Sequence, residues 1–201
     1  MSSRSQRTRE NILVSALRLL VERGYHGVGL EEVARDAGVS RQAVYLHFKS
    51  KADLLVAMAQ YNDEAIGVPE ILRPVREAGS ALEAFDAGVA AYGSIEPLIY
   101  DVASVIYTAR RSDEVAETVW QERMAFRRDN IRQDMERLQR EGLLAERWTV
   151  DEATDFAWAI LSVHTYEYLV VERGWPIDQF VRHLRMALRS VLVTVPVKAT
   201  E

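Results

Sequence analysis

The chain contains no cysteine, which excludes a disulfide framework and any thiolate metal site and fits a reducing compartment. It has no apolar run approaching the ~18 residues that a bilayer span needs. The N-terminus, MSSRSQRTRE, leads into a segment interrupted by Arg18, Glu22 and Arg23, unlike the unbroken apolar core of a signal peptide. A soluble, cytoplasmic protein with no membrane partner is expected. Strand-period alternation and internal repeats are also missing, so the predicted fold class is all-α. Glycine-rich phosphate loop, nucleophile elbow and His-Glu-x-x-His zinc motif are absent, which argues against an enzyme and predicts no cofactor. His164 and Glu167 lie three apart on one helical face, but two residues do not make a metal site. His26 and His183 have no ligand spacing around them, so no metal is expected.

The formal net charge of −5 argues at first against nucleic acid. Its distribution argues the other way. Met1–Lys51 carry nine Lys/Arg against five Asp/Glu, for +4, whereas Ala52–Glu201 carry sixteen against twenty-five, for −9. A basic module on an acidic body is expected where only one end of a protein meets phosphate. Arg4, Arg7 and Arg9 lie in or near a polar Met1–Ser5 stretch that reads equally as a solvated tail or a phosphate-touching arm.

The stretch from Leu30 to Lys51, LEEVARDAGVSRQAVYLHFKSK, is where chemistry concentrates. Leu30, Val33, Ala34 and Ala37 share one helical face. Gly38 suits the positive φ just past a helix end, and Ser40 is a good N-cap for a helix beginning at Arg41. Helix, short turn with glycine, helix is the arrangement that places a helix in the DNA major groove. Arg41 and Gln42 project from the first turn of the second helix. Arg pairs bidentately with guanine and Gln with adenine, each worth roughly 1–3 kcal/mol of discrimination. Leu46 suits a thymine methyl as well as packing, while Val44 and Phe48 are expected in the core. Ser50 caps the next helix, with Lys51 in its first turn and Met58 and Tyr61 further along. Gly29 opens the first helix of the pair, followed by Leu30, Glu31 and Glu32. That start offers backbone amides to a phosphate but no side chain for base reading.

Upstream, NILVSALRLLVERGY (Asn11–Tyr25) precedes Val33-Ala34, Ala37-Gly38-Val39-Ser40, Tyr45-Leu46-His47-Phe48 and Lys51-Ala-Asp-Leu-Leu55. In this order and spacing the first sixty or so residues resemble the N-terminal domain of the tetracycline-repressor-like (TetR) family of transcriptional regulators. The resemblance implies a three-helix DNA-binding head in which Ser40, Arg41, Gln42, Tyr45, Leu46, His47 and Lys51 meet DNA, with Lys51 on a phosphate. It also implies a C-terminal helical bundle that binds a small effector and dimerises. Beyond Asn62 only the layout is similar.

Gly67, Pro69 and Pro74 put the module boundary between Asn62 and Gly79, so residues 1–62 and 63–201 are read as two domains. Helices are predicted over about 80–91, 97–111, 113–141, 149–173 and 177–193, with Gly93-Ser94 stopping the first. Polar groups among apolar ones mark a ligand site. Tyr92, Tyr107, Trp120 and His164 are the candidates, with Met58 and Tyr61 as the link to the DNA module. The last two helices are apolar over more than one face, which predicts a partner surface, most simply a second copy across a two-fold axis. Trp158, Tyr166, Phe180, Leu184, Leu188 and Val191 are the interface candidates. The function read from these features is a homodimeric repressor that leaves a palindromic operator when an apolar or amphipathic effector binds. The alternatives are an effector-independent architectural or spatial-control factor and, given Glu31 and Glu32, a small-molecule binder that no longer holds DNA.

Overall fold

The computed structural model describes residues 3–194. Among them are eleven α-helices, a 3-10 turn, a π-helical segment and no strand, so the all-α class read from the sequence is the observed one. By internal contacts the chain forms two compact units. Met1–Gly67 with Leu98–Arg123 make the first, and Val68–Pro97 with Met124–Glu201 the second.

The first unit opens with α1, Ser3–Arg23. The expected Met1–Ser5 arm thus falls partly outside the described residues, and from Ser3 onward it is helical. The stripe Ile12, Leu13, Ala16, Leu19 and Leu20 is buried as its spacing predicts, against α2 (Leu30–Asp36), α3 (Arg41–His47) and α4 (Lys51–Ile66). Each large aliphatic contributes roughly 1.5–3 kcal/mol by leaving water. Gly24 ends α1 at φ 72, and the 3-10 turn Tyr25–Gly27 follows with the Tyr25 ring buried. The Tyr25 hydroxyl donates to Asp113 Oδ2 at 2.6 Å, and Asp113 Oδ1 accepts the Val115 and Ala116 amides, capping α8 (Glu114–Arg140). Arg123 on α8 forks onto Asp63 of α4 at 3.0 and 2.6 Å, the bidentate geometry that gives an ion pair direction.

In the second unit, α5 (Val68–Ile71) and α6 (Arg73–Glu77) occupy the stretch read as a boundary. They lead to α7, Ala81–Ala109, which runs unbroken through Gly93, Ser94 and Pro97, where a stop was expected. Tertiary packing overrides those local breakers. A Cβ on Gly93 would stand 2.1 Å from Val181 Cγ2, so α11 (Ile177–Leu192) seats a side chain directly on the α7 backbone there. By length and composition α7 is apolar enough to cross a bilayer, contrary to the reading of the sequence. Part of it packs inside the protein, Ala81, Ala84, Phe85, Val89 and Ile106 being buried, while Leu98 is exposed.

The helix expected over 149–173 is broken. α9 (Val150–Ile160), capped by Thr149, stops at Leu161–Ser162; α10 (Val163–Tyr166) and a π-helical segment, Glu167–Glu172, follow. The break persists because its carbonyls find other donors. Arg127 Nη1 donates to Leu161 O at 3.1 Å and Tyr92 Oη to Ser162 O at 2.7 Å, while Ser162 Oγ recaps the chain on the Thr165 amide. Arg127 is also ion-paired with Glu96, which is fully buried on α7, and its guanidinium lies 5.5 Å from the Tyr92 ring centre. After α8, Leu144 forms an isolated bridge with Val193, and Trp148 Nε1 donates to Val191 O at 3.0 Å, tying the ends of the unit together.

Two outcomes follow from these burials. Arg127→Met leaves the Glu96 charge buried and alone, so urea denaturation should show a loss of about 3–5 kcal/mol, with part of it recovered in the Arg127→Met, Glu96→Met double variant. Asp134 packs over Gly88, and burial pushes its carboxyl up to about 7 from an ordinary 3.8, with Arg137 only partly opposing. Between those values the folded chain holds a proton that the unfolded chain has released, so this group's contribution falls as pH rises through 7. Asp134→Asn is therefore expected to raise the melting temperature most above pH 7 and hardly at all near pH 4.

Candidate nucleic-acid interface

α3 is seven residues long, too short to hold its shape alone, and is fixed at both ends by local chemistry. Gly38 takes φ 66, and its amide bonds Arg35 O while the Val39 amide bonds Ala34 O, closing α2. Ser40 Oγ then accepts the Ala43 amide at 3.1 Å, opening α3. Val44 and Phe48 point inward at 0 % and 2 % exposure, as predicted. The opposite face therefore carries Arg41, Gln42, Tyr45 and Leu46 to solvent. Leu46 is 83 % exposed, so it does not serve the packing that its apolar side chain also suited. His47 is half-buried beside the Phe48 ring, and Ser40 is engaged as a cap.

Two of the expected contacts are otherwise disposed. Lys51 does not reach outward. Its ammonium donates to Tyr25 O and stands 4.0 Å from the Tyr25 ring centre, and burial lowers its pKa against the pull of Asp113 and Glu32. Arg41 is exposed but not free: Nη1 is 2.6 Å from Glu31 Oε1, and its guanidinium lies 5.5 Å from the Tyr45 ring centre. Glu31 thus holds the Arg41 side chain, a role that its place in a helix's first turn did not signal. Arg9, one of the arginines read as either solvated tail or phosphate-touching arm, stands 5.7 Å from the Phe48 ring centre.

The expected effector residues are divided between the two compact units. Met58 is buried and Tyr61 half-buried on α4, and Tyr107 meets Trp120 edge to face at 5.0 Å, all in the first unit. Tyr92 and His164 belong to the second. There Tyr92 bonds the helix break, and His164 Nδ1 lies 3.7 Å from Glu167 Oε2. A groove of about 630 Å³, open to solvent, lies between α7 and α11 and is lined by Ala90, Gly93, Pro97, Val181, Arg182 and Arg185 among others; none of the six candidates borders it.

The interface candidates need correction too. Phe180, Leu184 and Leu188 are 0 %, 6 % and 1 % exposed, and Tyr166 packs on Phe180 at 6.0 Å, so all four fill the second unit's own core. Trp158 and Val191 are half-buried. The exposed apolar side chains of this region are instead Tyr168, Val171, Ile177 and Met186.

A capped two-turn helix presenting Arg, Gln, Tyr and Leu beyond a glycine turn has the helix-turn-helix arrangement, which can place a helix in a duplex groove. Residues 12–58 match the family of bacterial regulatory proteins described as tetR. The chain is 37% identical over 78 residues to the transcriptional activator FasR of Mycolicibacterium smegmatis, covering 38% of this chain and 36% of that protein. It is 42% identical over 67 residues to the regulator AcrR of Shigella flexneri, covering 33% and 31%. The chain thus spans about a third of the length of these two relatives. A longer match, 28% over 183 residues, covers 84% of this chain and 83% of the transcriptional repressor BepR of Brucella suis. A transcriptional regulator from Saccharomonospora viridis in complex with choline shares the fold at TM-score 0.78 and 20% identity, over 94% of this chain and all of that one. FadR of Bacillus subtilis in complex with stearoyl-CoA does so at TM-score 0.73 and 19% identity, over 90% and 97%.

Glu31 occupies the guanidinium that a DNA contact by Arg41 would need, so Glu31→Gln is expected to tighten binding to the DNA upstream of the protein's own gene by about two- to fivefold in a low-salt anisotropy titration. No change would assign Glu31 to the solvated surface.

Proposed function

We propose that the protein is a sequence-specific DNA-binding transcriptional regulator, acting in the cytoplasm as a repressor that a small molecule releases from its operator. The observation that carries the reading is the exposed face of α3, where Arg41, Gln42, Tyr45 and Leu46 stand together on a helix otherwise held by its buried side. Arg41 and Gln42 are the base-reading residues, Tyr45 and His47 line the groove wall, and Leu46 meets a thymine methyl. Ser40 and Lys51 hold the frame that presents them. Residues 1–62 serve as the reading domain and 63–201 as the effector and dimerisation domain. No catalytic step belongs to this role.

A second copy completes the reader. Two α3 helices spaced about one DNA turn apart address a palindromic operator, and the surface bearing Tyr168, Val171, Ile177 and Met186 is the apolar face offered for pairing. An effector acts here only through unequal affinity for the DNA-bound and free conformations. Support for a small-molecule effector comes from folds of the same shape that hold choline or stearoyl-CoA.

Arg41→Ala is expected to relax base preference at one operator position by roughly 1–3 kcal/mol, measured over a panel of single-base operator variants. Lys51→Ala removes charge without touching a base and should weaken all members of the panel alike. Identical specificity profiles for the two variants would overturn the assignment of α3 as the reader.

A further inference from the structure

At the C-terminal end of α7 an aromatic corner is filled by the protein's own arginine. Tyr107 and Trp120 meet at 5.0 Å between ring centres and 60° between planes. The Arg110 guanidinium lies 4.6 Å from the Tyr107 ring centre and 5.5 Å from that of Trp120, and its Nη1 is 3.2 Å from Glu117 Oε2. Three features draw positive charge to this spot: two electron-rich ring faces, the Glu117 carboxylate, and the last carbonyls of α7 with their partial negative charge.

Arg110 is hydrogen-bonded to the Tyr107 side chain as well as to Glu117, and Arg111 stands 6.0 Å from the Tyr107 ring centre. The Arg110 Nε is nevertheless buried with no hydrogen-bond partner, a cost that a cation without N–H donors escapes. The side chain is 24 % exposed and Glu117 38 %, so the arginine has a path outward and a solute a path inward. We propose that the corner formed by Tyr107, Trp120 and Glu117 is a binding site for a small quaternary or substituted ammonium, with Arg110 as the tethered occupant that the ligand displaces.

The position suits control of the reading head, a link that rests on the regulator reading although the binding itself does not. Arg110 is three residues from Asp113, which accepts the Tyr25 hydroxyl, and Ser112 Oγ lies 3.0 Å from His26 Nε2. Displacing Arg110 therefore disturbs the turn hydrogen-bonded to Tyr25–Gly27, within the same compact unit as α3.

The test is calorimetric titration of the full chain with benzyltrimethylammonium chloride at constant ionic strength, with circular dichroism to confirm folding. The native chain is expected to bind saturably, Arg110→Ala about tenfold more tightly and Glu117→Gln about tenfold more weakly. Arg110→Gln keeps the comparison open if the alanine variant does not fold. No saturable binding by the native chain, or one affinity shared by all variants, overturns the proposal. In a parallel DNA titration, a probe that binds as expected yet leaves DNA affinity unchanged upholds the cation site and counts against release by an effector there.

Discussion

The hydrogen bond from Tyr25 to Asp113 is the joint on which the first unit is assembled. One residue serves three elements. Its buried ring closes the turn after α1, its carbonyl holds Lys51 at the start of α4, and its hydroxyl meets the carboxylate that caps α8. The electrostatics reinforce the bond from both sides. Burial, helped by Asp113, pushes the Tyr25 phenol up, so it remains a donor. The same hydrogen bond and the cap amides hold Asp113 below the ordinary carboxylate range, so it remains an ionised acceptor. A charge-assisted bond of this kind is about twice as strong as a neutral one. It explains why residues 98–123, far along the chain, belong to the unit that carries α3.

That joint matters because α3 contributes little to its own stability. Two turns of isolated helix do not persist in water, so its orientation is borrowed from α1, α2 and α4 through Val44, Phe48 and the Ser40 cap. Once the inward side is committed to packing, the outward side is free of structural duty, and Arg41, Gln42, Tyr45 and Leu46 can be chosen for what they touch. Glu31 qualifies this freedom. It pairs with Arg41, and because both groups are more than half exposed the pair is held only weakly and can be exchanged for another anion.

Features set by local chemistry were legible from the residues alone: the α1 stripe, the positive-φ turns at Gly24 and Gly38, the caps Ser40, Ser50 and Thr149. Features set by distant partners were not. Pro97 reads as a helix start, yet α7 passes through it because Val181 seats on Gly93. Nothing near Leu161 announces a break, since the donors that make it tolerable, Arg127 and Tyr92, lie 34 and 70 positions away in sequence. Phe180, Leu184 and Leu188 were readable as apolar but not as core, because a side chain buried within the chain and one buried against a second copy obey the same hydrophobic rule. Lys51 illustrates the reverse: its family resemblance suggests an outward phosphate contact, and only the Tyr25 carbonyl reveals its inward hold.

The two units also differ in how they carry buried charge, and this bears on where a signal can enter. In the second unit Arg127 is ion-paired with the fully buried Glu96, whose oxygens have no hydrogen bond, and also holds Leu161 O and the Tyr92 ring face, so removing any partner leaves charge or dipole stranded in a dry interior. Such a cluster resists rearrangement. In the first unit Arg110 rests on ring faces and a partly exposed carboxylate, with Nε unpaired. That arrangement has a shallower hold and an exit to water, so a competing cation needs only a modest advantage to shift it. A switch needs two states of nearly equal free energy, and a charge with an exit to water supplies them more readily than one enclosed in the interior.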